Sequence, residues 1–269
     1  MALKRIVREF FNAFGLEISK KRAESETRAS MAGALRQLTT LGFHPRTVID
    51  VGAASQTAEL YEEYPKADIL LIEPLLEFEP SLRKICDTYR AQYLLAAAGE
   101  RPGIATLNVH PDRFGSSLLK EAEGPSVDGE PRQVPVITID DACAERSLKG
   151  PFLIKIDVQG AELQVLAGAR QTLLNTEAII LEVSLFGLML DGPQFFDVIS
   201  QMKSYGFVVY DVYGFTYRPF DGALAQVDMV FVREQGSLRK SHVFSTPEKR
   251  REQFSNAKAS FAEYQNNSL

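Results

Sequence analysis

The sequence predicts a doubly wound α/β fold with a mostly parallel, seven-stranded sheet and an antiparallel last strand. From residue 47 onward, short apolar runs typical of strands alternate with helical patterns, as in a parallel sheet covered by helices on both faces. The last two runs are separated by residues 213–222, a loop too short for a helical crossover, so these strands should pair antiparallel. Of the 269 residues, 45% are hydrophobic and 24% are charged, as in a globular domain.

Residues 1–46 form a predicted N-terminal helical extension. Apolar residues recur at helical spacing near the start, and basic residues lie elsewhere on the same helical wheel. Such a helix docks on its own domain, docks on a second copy of the chain in a homo-oligomer, or makes peripheral contact with an anionic membrane. A second helical pattern passes through Met31, Leu35 and Leu38 and caps the domain. The apolar positions of the first pattern are Leu3, Ile6, Val7, Phe10, Phe11 and Phe14.

Residues 47–233 form the predicted main domain, and residues 234–269 a polar C-terminal tail that is helical or frayed. The core strands are expected at residues 47–51, 69–72, 93–97, 152–156, 178–183, 207–212 and 227–232. The helices of this domain are expected at residues 58–64, 80–89, 161–174 and 193–205.

Residues 103–150 depart from the strand–helix alternation. Two extra strand-like runs, residues 105–109 and 134–138, flank a loop rich in Gly, Pro and Glu. We interpret the segment as a hairpin-like insertion over one end of the sheet. Because loops and insertions carry much of the function on such folds, it is a candidate for shaping a substrate pocket.

Charge and cysteine content exclude several classes of protein. The net charge is −5, and the basic excess at both ends of the chain leaves residues 23–235 more acidic still. This argues against a surface that follows nucleic-acid phosphates. Two cysteines, Cys86 and Cys143, are too few for a disulfide framework. No apolar run is long enough to cross a membrane and no signal-peptide pattern opens the chain, so a cytoplasmic protein is expected.

Two strand ends suggest a nucleoside-containing cofactor, because ligands of open α/β sheets bind beyond the carboxyl ends of the strands. The first strand runs into Gly52 and Ala53, where glycine permits a tight turn close to a ligand. Asp50 places a carboxylate beneath that turn. Glu73 ends the second strand about 20 residues later, where an acid can accept hydrogen bonds from ribose hydroxyls.

The glycine pattern favours S-adenosylmethionine over a dinucleotide. NAD requires G-x-G-x-x-G so that the pyrophosphate can approach the helix start. The corresponding positions here are Gly52, Ala54 and Thr57, so two glycines are missing. S-adenosylmethionine has no phosphate and tolerates this pattern better.

The fourth core strand carries the sharpest catalytic signal. Strand alternation places Lys155 and Asp157 on one face, and a charged pair within an apolar strand is costly unless it is paired or functional. Asp157 falls at the carboxyl end, where cofactor and acceptor should meet. Glu162 lies in the first turn of the following helix, where the helix dipole favours a carboxylate, and is interpreted as a helix-start acid.

Residues 153–169, LIKIDVQGAELQVLAGA, resemble the hallmark segment of the FkbM-type methyltransferases, K-I-D-x-E-G-x-E-x-x-V-L-x-G. Residues 48–52 resemble the first cofactor motif of this family, Glu73 its ribose-binding acid, and Ala97 within AAAGE its segment near the adenine. GSSLL at 115–119, VPVITIDD at 134–141 and IILEVS at 179–184 follow in the order of the family. The resemblance covers roughly residues 47–233. It implies S-adenosylmethionine as the cofactor and O-methylation of a hydroxyl on a sugar, glycan or secondary metabolite.

Two positions depart from the pattern of the family. Gln56 stands where a small residue is common, and Gln159 replaces the usual acid before Gly160. Either change could weaken cofactor binding. A catalytically inactive binding or scaffold protein with this fold is therefore an alternative, and an NAD-dependent oxidoreductase is a second one.

Methylation of an aliphatic hydroxyl requires removal of its proton, and three residues are candidates. Asp157 and Glu182, at the ends of neighbouring strands, could act as a base or together hold Mg²⁺. Glu182 could instead pair with Lys155 or with a helix N-terminus. His110, on the insertion, is another candidate base or a solvated loop residue. Asp228 is interpreted as a pocket or hairpin acid.

An aromatic cluster between the last two predicted strands is a candidate for the acceptor site. Its side chains either line a wall on which a sugar stacks or cover the edge of the sheet. They are Tyr213, Phe215, Tyr217 and Phe220.

Overall fold

The computed structural model describes residues 28–55 and 57–267. The predicted helix over residues 3–14 and the position of Gln56 lie outside this range. The second predicted helix is confirmed as α1 (Met31–Thr40), which begins at Ser30, whose hydroxyl accepts a hydrogen bond from the Gly33 amide.

The remaining elements follow the predicted alternation of strands and helices. The strands are β1 (Thr47–Val51), β2 (Asp68–Ile72), β3 (Ala91–Leu94), β4 (Ala97–Ala98), β5 (Gly103–Val109), β6 (Glu130–Ile137), β7 (Phe152–Ile156), β8 (Thr176–Ser184), β9 (Phe207–Tyr217) and β10 (Leu224–Arg233). The helices after α1 are α2 (Ala58–Glu63), α3 (Glu79–Thr88), α4 (Ile139–Glu145), α5 (Glu162–Ala167), α6 (Arg170–Leu173), α7 (Phe195–Ser204) and α8 (Pro247–Asn267). Short 3₁₀ turns occupy Leu76–Phe78 and Ser237–Arg239.

The main sheet has seven strands in the order β3-β2-β1-β7-β8-β10-β9. Its pairings are parallel except those of β10, which runs antiparallel to both β8 and β9. The predicted fold class, including the antiparallel last strand, is confirmed. The order of strands reverses at β1, so the carboxyl ends of β1 and β7 form the crevice where ligands of such sheets bind.

Two apolar layers hold helices on both faces of this sheet. In one layer, α1, α2 and α3 pack on the sheet through side chains such as Leu35, Leu60 and Leu82. The other joins α4, α5, α6 and α7 through residues such as Leu166 and Met202. Buried strands such as β1 and β7 are apolar on both faces apart from a few charged positions, as expected of parallel strands covered on both sides.

The predicted third strand, residues 93–97, is corrected by the structure. β3 ends at Leu94, and Ala97–Ala98 leaves the main sheet to pair in parallel with β6. The chain bends between these segments, and a uniformly apolar sequence gives no sign of the bend. β4 therefore connects the main sheet to the insertion.

The hairpin-like insertion is confirmed as an antiparallel pair of strands, β5 and β6, with Gly103 opposite Val136 and Val109 opposite Glu130. With β4 they form a second, three-stranded sheet. The predicted segment 103–150 also includes α4, whose Ile139 and Ala142 are buried in the main core. This helix thus packs with the main sheet and not with the hairpin.

The single helix predicted over residues 161–174 is two helices, α5 and α6. A Cβ at Gly168 would lie 2.1 Å from the carbonyl oxygen of Gly99, so the backbones touch where the first helix ends. Asp140 accepts hydrogen bonds from the amides of Gln171 and Thr172 at 2.9 and 2.7 Å and thereby caps α6.

The last hairpin is longer than predicted, because β9 continues to Tyr217 and leaves a turn only around Arg218–Gly222. After β10 the tail ends in α8, most of whose side chains are exposed. No helix within the described part of the chain is long and apolar enough to cross a membrane.

Candidate active site

The turn after β1 brings the backbones of β1 and β7 into contact. Gly52 has a φ of +75°, and a Cβ on it would lie 1.8 Å from the carbonyl oxygen of Asp157. The Asp157 amide donates to the Val51 carbonyl at 3.0 Å, which extends the parallel pairing by one bond. Only glycine fits this position. The sequence predicts a tight turn close to a ligand here, and the structure shows that the close contact is with the backbone of Asp157.

Glu73 is buried at the end of β2, with 5% of its surface exposed. Its two carboxylate oxygens accept hydrogen bonds from the amides of Ala54, at 3.0 Å, and Leu75, at 2.9 Å. Burial raises the pKa of Glu73 to about 7, against the opposing effect of these two hydrogen bonds. The carboxylate thus fixes the turn after β1 while it faces the same crevice.

A cleft of about 730 Å³, partly open to solvent, lies between these turns and the insertion. Phe78 and Phe114 lie side by side at its rim, with ring centroids 5.3 Å apart. Of the predicted cofactor residues, four line this cleft, whereas Asp50 and Ala53 are buried beneath it. The four are Gly52, Glu73, Ala97 and Asp157.

A buried ion-pair network lies under the cleft. Lys155 Nζ lies 3.4 Å from Asp50 Oδ1 and 3.3 Å from Asp157 Oδ2. Burial lowers the pKa of Lys155, but the two carboxylates outweigh burial, so the pKa lies above its ordinary value. The Tyr61 hydroxyl, from α2, donates to Asp50 Oδ2 at 2.5 Å. The predicted placement of Lys155 and Asp157 on one face is confirmed, whereas the sequence reasoning missed Tyr61.

The carboxylate of Asp157 is partly exposed to the cleft and is held from two sides. Lys155 contacts one oxygen, and Gln159 Nε2 donates to the other, Oδ1, at 3.0 Å. The same nitrogen of Gln159 donates to Glu182 Oε2, also at 3.0 Å. Gln159 was noted in the sequence only as a departure from a family pattern, but it joins the two candidate carboxylates.

Glu182, on β8, binds amide groups. Its Oε2 also accepts a hydrogen bond from Gln226 Nε2 at 2.7 Å. The considered pair with Lys155 is not formed, because that lysine contacts Asp50 and Asp157 among the described residues. Burial, followed by the negative charge of Asp157, raises the pKa of Glu182 to about 8.

Asp228 continues this carboxylate row across the sheet. It lies opposite Glu182 on one side and opposite Tyr213 on the other. Burial, followed by the charge of Asp157, raises the pKa of Asp228 to about 6. The structure thus brings three carboxylates of β7, β8 and β10 to the same end of the sheet.

Glu162 has a structural role that its interpretation as a helix-start acid does not include. It is 3% exposed, and its Oε1 accepts hydrogen bonds from the amides of Val158, at 3.2 Å, and Gly160, at 3.0 Å. Burial raises its pKa to about 7. Glu162 therefore holds the turn that carries Gln159. An acid two residues after a glycine turn is the signal that could have indicated this.

His110 is not among the residues that line the cleft. It lies on the loop after β5, where its Nδ1 is 2.8 Å from Asp112 Oδ1. Ser117, on the same loop, instead reaches the turn after β7 and donates to the Gln159 carbonyl at 2.7 Å. The sequence reasoning missed this serine.

The residues do not fit the expected Mg²⁺ site. Among residues 28–55 and 57–267, no group of three His, Cys, Asp or Glu side chains is arranged to hold a metal ion. The position between Asp157 and Glu182 is bridged by the amide of Gln159, which presents hydrogen atoms and not lone pairs. This is the reason that the predicted pair of carboxylates does not form a metal centre.

Comparison with known proteins identifies the family. The model of the methyltransferase FkbM domain matches residues 50–209, more than half of the chain. The chain is 31% identical over 172 residues to the 2-O-methyltransferase NoeI of Sinorhizobium fredii, a match that covers 55% of this chain and 68% of that protein.

Solved structures with similar folds have low sequence identity to this chain. One is the magnesium protoporphyrin IX methyltransferase ChlM of Synechocystis with bound SAM, 12% identical, with a TM-score of 0.41 over 86% of this chain and 96% of that chain. Another is the precorrin-6y C5,15-methyltransferase of Geobacter metallireducens, 12% identical, with a TM-score of 0.38 over 80% and 100%. On the strength of the family match over residues 50–209, the chain belongs to the FkbM methyltransferase family and is a methyltransferase.

Proposed function

We propose that the protein is an S-adenosylmethionine-dependent O-methyltransferase in which Asp157 removes the proton of the acceptor hydroxyl. The observation that carries this proposal is the carboxylate of Asp157, which reaches the cleft beside Gly52 while Lys155 and Gln159 fix its two oxygens. The acceptor is a hydroxyl group of a sugar, glycan or secondary metabolite.

The cleft fits the cofactor in three respects. Gly52 lines the cleft and has no side chain, so a ligand can approach the backbone there. Each oxygen of Glu73 accepts one amide hydrogen bond and keeps a lone pair for a ribose hydroxyl. Ala97, Leu107 and Phe78 offer apolar surface for an adenine ring. These residues suit a nucleoside without phosphate groups.

When bound, S-adenosylmethionine supplies a methyl group on a positively charged sulfur. Asp157 accepts the proton of the acceptor hydroxyl. The hydroxyl oxygen forms the new bond to the methyl carbon as the bond from that carbon to sulfur breaks. Lys155 and Gln159 hold the carboxylate in one orientation, so no reorientation is needed at the moment of transfer.

The oxygen acceptor is supported by the relative NoeI, which is named a 2-O-methyltransferase. The hairpin of β9 and β10 offers an aromatic surface for such an acceptor. Phe215, Tyr217 and Phe220 are 50%, 61% and 90% exposed there, whereas Tyr213 is only 2% exposed and is no part of that surface. We therefore propose that the first three side chains contact the acceptor.

Isothermal titration calorimetry with S-adenosylmethionine tests the proposed function. We expect saturable binding that Glu73→Ala abolishes and that Glu145→Ala, a matched change of an exposed acid on α4, leaves unchanged. A screen of methyl glycosides with labelled cofactor then identifies an acceptor. An absence of binding at millimolar cofactor, or binding of NAD in its place, would contradict the proposal.

A further inference from the structure

We propose that the side-chain amide of Gln159 is a fixed bridge between Asp157 and Glu182, in the position that a divalent cation would need. This makes Gln159 a positioning residue for the base and keeps the carboxylate pair free of metal. The inference rests on the proposed role of Asp157, but its central test concerns metal binding and is independent of methyl transfer.

The donor geometry of the amide supports the bridge. An amide NH₂ group has two hydrogens, and Gln159 Nε2 lies 3.0 Å from Asp157 Oδ1 and 3.0 Å from Glu182 Oε2. Each hydrogen therefore goes to one carboxylate. The positive ends of the two N–H bonds neutralise part of the charge that the carboxylates would otherwise direct at each other.

The backbone that carries the amide is held in place. Gln159 has a φ of +54°. Residues with a side chain rarely adopt this conformation, and those that do are found mainly at functional sites. Its carbonyl accepts the hydrogen bond of Ser117, which is 3% exposed. The amides on either side, of Val158 and Gly160, are both bound by Glu162. Three hydrogen bonds thus fix the backbone of the turn from which the Gln159 side chain extends.

A second amide completes the arrangement at Glu182. Gln226, from β10, donates to the same oxygen of Glu182 at 2.7 Å. Two neutral amides thus converge on one carboxylate oxygen, one from the turn after β7 and one from β10. A cation bound there would meet the hydrogens of both amides, and Mg²⁺ requires oxygen ligands at about 2.0–2.1 Å.

Replacing the side-chain amide of Gln159 by a carboxylate should convert the bridge into a metal site. In Gln159→Glu the amide nitrogen becomes a carboxylate oxygen between two existing carboxylates, a ligand set that suits Mg²⁺ or Mn²⁺. Gln133→Glu is the matched control, because Gln133 is exposed on the insertion and bonds Thr106. It adds the same charge far from the carboxylate pair.

Mn²⁺ binding followed by electron paramagnetic resonance is the decisive measurement. We expect Gln159→Glu to bind one Mn²⁺ at least about tenfold more tightly than the wild type or Gln133→Glu, and we expect Glu182→Gln in addition to abolish the gain. Equal Mn²⁺ affinity of Gln159→Glu and the wild type would overturn the proposal. So would a stoichiometric Mn²⁺ site in the wild type that Asp157→Asn removes.

A second variant guards against misfolding of Gln159→Glu. Gln159→Met keeps the side-chain length but removes both hydrogen bonds, so kcat should fall about tenfold or more while the Kd for S-adenosylmethionine changes little. An unchanged kcat would contradict the positioning role. Failure of the wild type to bind the cofactor would contradict the proposed function instead, and the Mn²⁺ comparison would still stand.

Discussion

The two halves of the cleft are built in different ways. On the β1–β2 side, backbone groups define the surface: a glycine turn touches β7, and Glu73 serves mainly to bind two amides. On the β7–β8–β10 side, the surface consists of charged and amide side chains that bind one another. In the proposed function, the first half binds the cofactor, whereas the second holds the proton acceptor in place.

The largest effect should follow from Asp157→Asn, a change on the β7–β8–β10 side of the cleft, which we call the side-chain-built half. Removal of the base should lower kcat by about 10²–10⁴ and leave the Kd for S-adenosylmethionine within a few-fold of wild type. Steady-state kinetics with an acceptor from the glycoside screen, together with calorimetry, measures both. Equal losses in kcat and cofactor affinity would show that the two halves are not functionally separate.

Gly52→Ala tests the β1–β2 side of the cleft, which we call the backbone-built half. Its Cβ would lie 1.8 Å from the Asp157 carbonyl oxygen, and alanine also disfavours a φ of +75°. The strands must separate, so we expect a loss of about 3 kcal/mol in the free energy of unfolding and no measurable cofactor binding. Urea denaturation and calorimetry measure the two quantities. Gly103→Ala is the control, because its Cβ would contact nothing within 4 Å.

The backbone-built half was also the more predictable one. Gly52 and Glu73 follow directly from strand ends and turn chemistry, since a parallel sheet places its carboxyl ends along one edge. The fold class follows equally from the alternation of strands and helices. These features depend on local patterns, which one sequence displays fully.

The side-chain-built half depends on contacts between residues distant in sequence. Gln159 reads as a departure from a motif until Glu182 and Asp157 are seen on either side of it. The bend before β4, which places this strand in the second sheet, is likewise a tertiary effect. So is the break at Gly168, where α5 ends in contact with the backbone of Gly99. Pattern alone records none of these distances.

Glu162→Ala should have the next largest effect, because Glu162 supports the turn between the two halves. The change leaves the partly buried amides of Val158 and Gly160 without an acceptor, at a cost of about 2 kcal/mol in the free energy of unfolding. Glu162→Gln keeps an acceptor oxygen and should lose less than half as much. Urea denaturation of both variants measures this difference. Equal losses would show that charge, and not hydrogen bonding, holds the turn.

The stability of Glu162→Gln relative to wild type should also depend on pH. Folding raises the pKa of Glu162 from 4.5 to about 7, so the folded state binds more protons than the unfolded state between these values. This contribution favours folding below about pH 4.5 and is lost as the pH rises to about 7. Compared with wild type, Glu162→Gln should therefore gain about 2–3 kcal/mol in relative stability between about pH 5 and about pH 8. Parallel stability curves would contradict the assignment.

The smallest effect should come from Phe220→Ala, at the outer end of the side-chain-built half. Phe220 is 90% exposed, and Arg218 lies 5.7 Å from its ring centroid, so its removal costs the fold little. If this ring contacts the acceptor, KM for the acceptor should rise about threefold at unchanged kcat, because the contact is the same in ground and transition states. Phe244→Ala, an equally exposed aromatic change in the tail, should leave KM unchanged. An equal rise in both variants would assign the effect to general surface hydrophobicity, and the acceptor would then contact the carboxylate row and not the hairpin.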